Sequence, residues 1–213
     1  MSRFEPRDRS EFTAWSERWP LLFRPSDTDR ARETGPSAAL TARAVSFMQQ
    51  VSEDSDAVLG LCSSLGRDSC LSGALLVDPA GEQVVMTCAH ALSLLLERHG
   101  ERLLEHPVYS PTMLVIAGVA AVARGECAPL FALPRDQYLC TGLELFLAAE
   151  PDLASSMALV HSRIASVVYA EGNSGDGGLG SRYDLHTLRS INHRFRVFRL
   201  KGTTASPTNG DSV

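Results

Sequence analysis

Two short segments place hydroxyl and carboxylate side chains where chemistry could be done: Ser110-Pro111-Thr112 and Pro151-Asp152-Leu153-Ala154-Ser155. Each opens an apolar run. Ser and Asp are strong helix N-caps, and Pro suits the first helical position. As metal ligands the four polar residues Ser110, Thr112, Asp152 and Ser155 are poor. Zinc takes Cys, His, Asp and Glu, and of this set only Asp152 qualifies. His106 and His161 are a possible metal pair, but His161 falls at the end of a helical pattern, where a cation suits the dipole. Cys140 with a histidine and Asp184 suggests a cysteine nucleophile, yet Cys140 stands in an apolar run, which favours a buried structural thiol. Residues 172–180 hold five glycines. They lack the Gly-Lys-Ser/Thr ending of a phosphate loop and read as a flexible connection.

From Arg182 to Lys201 the chain carries Arg182, Arg189, Arg194, Arg196, Arg199 and Lys201 against Asp184 alone, with His186, His193, Tyr183, Phe195 and Phe198 interleaved. Arginine beside aromatics suits RNA backbone and splayed bases. The alternative is an edge strand whose outward arginines blunt pairing while Phe195 and Val197 face inward. The rest of the composition does not support a generally basic nucleic-acid binder: the formal net charge is −5, and Lys201 is the single lysine among 20 basic residues. The five cysteines, Cys62, Cys70, Cys88, Cys127 and Cys140, are odd in number and include no C-x-x-C, so free buried thiols are expected. No apolar stretch is long enough for a transmembrane helix. The opening MSRFEPRDRSEF lacks an apolar core, so neither a secretory signal nor a transit peptide is expected.

The elements that would position these residues follow from periodicity. Residues 1–36 are polar, with Trp15 and Trp19, and read as an extension. Residues 38–51 have helical spacing, and the following Ser-Glu-Asp-Ser-Asp reads as a solvated acidic break. Leu71–Val77 and Gln83–Cys88 form a hairpin about Asp78-Pro79-Ala80-Gly81. Leu92–Leu104 is helical but interrupted by Gly100. Ser110 caps a helix to about Ala123. Tyr138–Ala148 is a strand, Asp152 to about His161 a helix, Ile164–Tyr169 a strand, and Asn192–Leu200 the last ordered piece. Residues 202–213 have a disordered composition. Two strands joined by one short helix fit a right-handed parallel crossover, so a mixed sheet in an α/β fold is expected.

The runs Tyr138-Leu139-Cys140-Thr141-Gly142-Leu143-Glu144-Leu145, Glu150-Pro151 and Met157-Ala158-Leu159-Val160-His161-Ser162-Arg163-Ile164 resemble the zinc-dependent nucleoside deaminases, the cytidine deaminase-like superfamily. With His106-Pro107, Asp176-Gly177-Gly178-Leu179-Gly180-Ser181-Arg182 and Asn192-His193-Arg194-Phe195-Arg196-Val197-Phe198, the chain is most similar to the non-catalytic partner subunit of the eukaryotic wobble tRNA adenosine deaminase heterodimer. Trp19-Pro20 and Val77-Asp78-Pro79 fit the same pattern. The resemblance spans about residues 12–200 and implies a three-layer α/β/α fold with a mixed sheet, a pseudo-deaminase domain over 37–201.

In that superfamily a zinc held by a His and the two Cys of P-C-x-x-C activates a water, and a Glu two residues after the His shuttles protons. The His position here is Ser110, the Glu position Thr112, and the cysteine positions Asp152 and Ser155. The resemblance therefore implies no catalysis by this chain and zinc in a catalytic deaminase subunit paired with it as a heterodimer. The inactive partner in that family typically keeps its metal ligands; this chain departs from it at all three, so no metal or other cofactor is expected in it. That subunit group usually carries a further N-terminal domain for tRNA capture; either that domain lies outside this chain, or the protein has left tRNA editing. Its partners are expected to be that subunit and tRNA or other RNA, with no membrane, in the cytoplasm and/or nucleus. Interface residues are expected at Met157, Ala158, Val160, His161 and Leu179, and RNA contacts at Arg182, His193, Arg194, Arg196 and Arg199. The rival expectation is a deaminase-fold structural subunit of a ribonucleoprotein or other assembly with no editing role.

Overall fold

The structure, a computed structural model, describes residues 38–66, 71–101, 103, 109–126, 137–188 and 190–200, all within the compact unit Gly35–Val213. The expected extension 1–36 and tail 202–213, with Trp15, Trp19, Cys70, His106, Cys127, Arg189 and Lys201, lie outside the described residues. The elements run α1 (Ala38–Ser64), β1 (Ala74–Asp78), β2 (Gln83–Thr87), α2 (Cys88–His99), α3 (Pro111–Ala123), β3 (Glu144–Ala149), α4 (Leu153–Ser162), β4 (Ser166–Glu171), a 3₁₀ turn (Leu185–Thr187) and β5 (Arg196–Arg199).

The sheet has five strands in the order β2-β1-β3-β4-β5. β1 pairs antiparallel with β2 and with β3, whereas β3–β4 and β4–β5 are parallel. Strand alternation sends side chains to opposite faces. Leu76, Leu145, Leu147, Val167 and Tyr169 pack with Leu92, Leu114, Val119 and Leu159 of α2, α3 and α4. Leu75, Val77, Phe146 and Val168 pack on the other face against Ala44, Phe47 and Val51 of α1. The three-layer α/β/α arrangement on a mixed sheet is as expected.

The hairpin, α3, α4 and the parallel pair are as the sequence predicts, but several boundaries differ. The acidic run after residue 51 is no break: α1 continues through it to Ser64. Its Asp54 turns inward and accepts hydrogen bonds from the backbone N–H groups of Ala74 (3.0 Å), Cys88 (3.1 Å) and Ala89 (3.0 Å). Its carboxylate thus satisfies orphan donors at the start of α2. α2 begins four residues earlier than predicted, because Thr87 caps it by accepting from His90 N–H, and it ends at Gly100 with φ 67°. β3 begins at Glu144, not Tyr138: Leu139 at φ 52° and Gly142 at φ 81° coil the preceding residues into turns. β4 likewise starts at Ser166, two residues after the predicted Ile164.

Candidate functional site

The two hydroxyl-bearing segments meet in space. Ser110 caps α3, its Oγ accepting from Met113 N–H at 3.3 Å. Asp152 caps α4, its Oδ1 accepting from Ser155 N–H at 2.7 Å. Both caps are as predicted. The hydroxyls of Ser110 and Ser155 are hydrogen-bonded to each other at 2.6 Å, joining the two helix N-termini. Thr112, in the first turn of α3, is buried. This set does not fit a zinc ion. Two neutral hydroxyls bind each other, and the one carboxylate is committed to its own helix. Among the described residues no other group of His, Cys, Asp or Glu converges in a way that could hold a metal.

Sequence reasoning missed the principal residue beside this joint. Glu150 reads in sequence as a break after a strand; in the structure it is buried. Its Oε1 accepts from Leu179 N–H (2.8 Å) and Ser181 N–H (3.0 Å), and its Oε2 from Asn173 N–H (3.0 Å). Burial pushes this carboxyl up, but the Ser181 hydroxyl and the three amides outweigh it and hold the group below its ordinary value. The glycine-rich stretch is therefore an ordered loop rather than a flexible connection. Gly178 N–H donates to Pro151 O, and Gly177 bridges to Asp152. A Cβ on Gly177 would sit 2.7 Å from the Glu150 carboxylate, and one on Gly178 would sit 2.3 Å from Ser156 Oγ. Those two positions are glycine because the backbone lies against these groups. The sequence signal was Glu150 preceding a run of closely spaced glycines, but the contacts span 23 to 31 residues.

The expected RNA residues divide. Arg182 is exposed, its Nη1 donating to Gly175 O at 2.5 Å and its guanidinium 5.6 Å from the Tyr183 ring. Arg196 and Arg199 are exposed on edge strand β5, with Arg196 lying 5.9 Å from the Phe198 ring and 4.0 Å from Glu144. Arg194 is half-buried. His193 differs in role: its Nε2–H donates to Ile164 O at 2.7 Å and its ring stacks on Phe195, so this imidazole ties β5 to the α4–β4 junction. The alternation expected of an edge strand is also present, with Phe195 buried and Val197 half-buried.

Of the expected interface residues, Met157 and His161 are exposed and Ala158 is half-buried. Val160 and Leu179 are inside the chain's own core, with side chains turned away from the present surface. Ala154, Met157 and His161 form one exposed face of α4. Cys140 is buried and burial pushes its thiol up to about 12, against a hydrogen bond with Ser162 that pulls the other way. At neutral pH it carries no thiolate, as the structural reading requires. Asp184 is exposed.

No family model matches the chain. Among curated proteins it is 32% identical over 211 residues to the probable inactive tRNA-specific adenosine deaminase-like protein 3 of Rattus norvegicus, covering 91% of this chain and 58% of that protein. It is 24% identical over 195 residues to the tRNA-specific adenosine deaminase subunit tad3 of Schizosaccharomyces pombe, covering 92% and 56%. A shorter stretch of 63 residues is 49% identical to tRNA-specific adenosine deaminase TAD3 of Arabidopsis thaliana, covering 30% and 16%. The chain thus spans little more than half the length of the full-width relatives it matches. Over nine-tenths of its length the chain is similar to the probable inactive tRNA-specific adenosine deaminase-like protein 3 and to the tRNA-specific adenosine deaminase subunit tad3, and it carries Ser110, Asp152 and Ser155 where the resemblance places zinc ligands.

Proposed function

We propose that this chain is the non-catalytic member of a heterodimer whose zinc-bearing deaminase subunit converts adenosine to inosine at the tRNA wobble position. The observation that carries the reading is the Ser110–Ser155 joint. The helix ends that hold zinc in an active deaminase are closed here on each other, while the sheet and the helices around them are intact. The names of the curated relatives, inactive and subunit, support it. No cofactor belongs to this chain; the zinc is the partner's. The chain contributes a docking face on α4 and a set of exposed arginines, Arg182, Arg196 and Arg199, suited to RNA phosphates. The pseudo-deaminase domain spans 37–201, and the compartment is that of tRNA maturation, cytoplasm and/or nucleus.

The test is co-purification and reconstitution. The full chain should copurify with a zinc-bearing tRNA adenosine deaminase subunit, and the pair should form inosine in an A34 tRNA transcript. The chain alone should leave adenosine, cytidine and RNA unchanged. Turnover by the isolated chain, or copurification only with ribosomal or other assembly proteins, overturns the proposal; the second result would instead place the chain in a structural role.

A further inference from the structure

We propose that Glu150 is the positioning residue of an RNA-phosphate-contacting edge formed by Arg182 and Arg199; this rests on the reading of the chain as an RNA-contacting subunit. The geometry begins with a buried carboxylate whose hydrogen-bonding capacity is spent on one loop. Its oxygens accept from Asn173, Leu179 and Ser181 N–H, so the loop's start and end are pinned to the same group. Ser181 immediately precedes Arg182. On its other side Ser181 lies against Gly172, where a Cβ would stand 2.7 Å from Ser181 Oγ and 3.2 Å from both Cζ and Nη1 of Arg199. The guanidinium of Arg199 and the backbone that carries Arg182 thus share one small region at the C-terminal ends of parallel strands β4 and β5.

The loop also fixes the arginine itself. Arg182 Nη1 is held by Gly175 O, Tyr183 N–H donates to Gly177 O at 3.0 Å, and Gly180 N–H donates to Tyr183 O at 2.9 Å. Arg182 and its neighbour Tyr183 are therefore presented from an ordered turn, with both side chains exposed. A phosphodiester contacted by a preplaced guanidinium such as that of Arg182 saves the cost of ordering a long side chain on binding. The buried charge of Glu150 is met by amides and the Ser181 hydroxyl rather than by either arginine.

The experiment uses the full chain in complex with its catalytic partner and a fluorescent A34 tRNA transcript as the probe. Binding is followed as a function of salt, and amide hydrogen exchange is followed across residues 173–183. Arg182→Ala and Arg199→Ala should each lower the slope of log affinity against log salt by about one. Glu150→Gln should speed exchange at Leu179 and Ser181 and remove both arginine contributions together. Adding Arg182→Ala and Arg199→Ala to Glu150→Gln should then change binding no further. Gly177→Ala pushes the loop off the carboxylate without touching its charge, and should reproduce the Glu150→Gln effect. It serves if the glutamate variant does not fold, as judged by circular dichroism.

If the loop loosens while the arginine slopes persist, the positioning role is overturned and the RNA reading stands. Should the arginine variants bind as the parent does, the RNA role of this edge is overturned. Pull-down of the partner, run in parallel, shows whether the pairing survives independently.

Discussion

Ser110 and Asp152 were legible as caps because N-capping is decided within four residues of sequence. Their joint across 45 residues was not, since nothing local says that two helix ends meet. At this scale the first prediction concerns metal. Elemental analysis of the purified chain should give well under one zinc per chain, and a chelator should leave the melting temperature unchanged. Ser155→Ala removes one partner of the 2.6 Å hydroxyl pair and should cost about 1 kcal/mol in denaturant unfolding. Stoichiometric zinc would remove the account of the joint.

A second residue-scale prediction concerns acid. Glu150 has its carboxyl lowered in the folded state, with burial opposing and the Ser181 hydroxyl and loop amides prevailing. The groups it interacts with electrostatically are Tyr169 on β4 and His186 in the 3₁₀ turn; Arg199 and Asp184 act on Tyr169 in turn. His186 is also lowered, by burial, against the pull of Asp184 and Glu150. Both groups are lowered on folding, so both contribute stability above their unfolded values and lose it as pH falls through the folded ones. The loss should come in two windows. The first begins below the ordinary histidine value of 6.5 and disappears in His186→Asn; the second begins below the ordinary carboxyl value of 4.5 and disappears in Glu150→Gln. Unfolding free energy measured against pH, with a curve flat from neutrality down to 3, would contradict this.

At the scale of elements, the hairpin and the β3–α4–β4 crossover follow from alternation and connection length, and the structure agrees with them. The places that failed have two causes: a polar residue whose partners are remote, and local turns hidden in an apolar run. The acidic run in α1 reads as solvated because its neighbours in sequence are polar, yet Asp54 serves amides 20 to 35 residues away. Tyr138–Leu143 reads as strand because it is apolar. It coils because its tight turns recruit Leu139 and Gly142 into positive φ and Cys140 N–H bonds Ser162 O. Asp54→Ala leaves the three amide donors of Ala74, Cys88 and Ala89 without their acceptor. It should destabilise the chain by about 3 kcal/mol in denaturant unfolding, with fraying of α2 seen as faster amide exchange at Cys88 and Ala89. A loss below about 0.5 kcal/mol, the scale of an ordinary surface change, would return Asp54 to the solvated face assigned from sequence.

For the whole molecule the question is which surface another chain covers. α4 turns Leu159, Val160, Ser155, Ser156 and Ser162 inward and leaves Ala154, Met157 and His161 outside, a spacing of three and four residues that keeps them on one face. Met157 is 49% exposed in the chain by itself, on the same face of α4 as Ala154 and His161. An obligate interface of this kind would bury upward of about 2,000 Å² in total. Met157→Glu puts a charge where the docked surface would be dry while leaving the core untouched. It should abolish copurification of the deaminase partner, with circular dichroism and melting temperature within a few degrees of the parent. Val160→Glu is the contrasting variant: Val160 is buried within the chain, so the charge should unfold the domain rather than merely free the partner. Alone, the parent chain should self-associate, and co-expression with the partner should suppress this. If Met157→Glu still copurifies the partner in full yield, the α4 face is not the contact, and other exposed apolar residues among those described, Val45, Leu59, Tyr138, Leu139, Tyr183 and Leu188, become the surface to vary next.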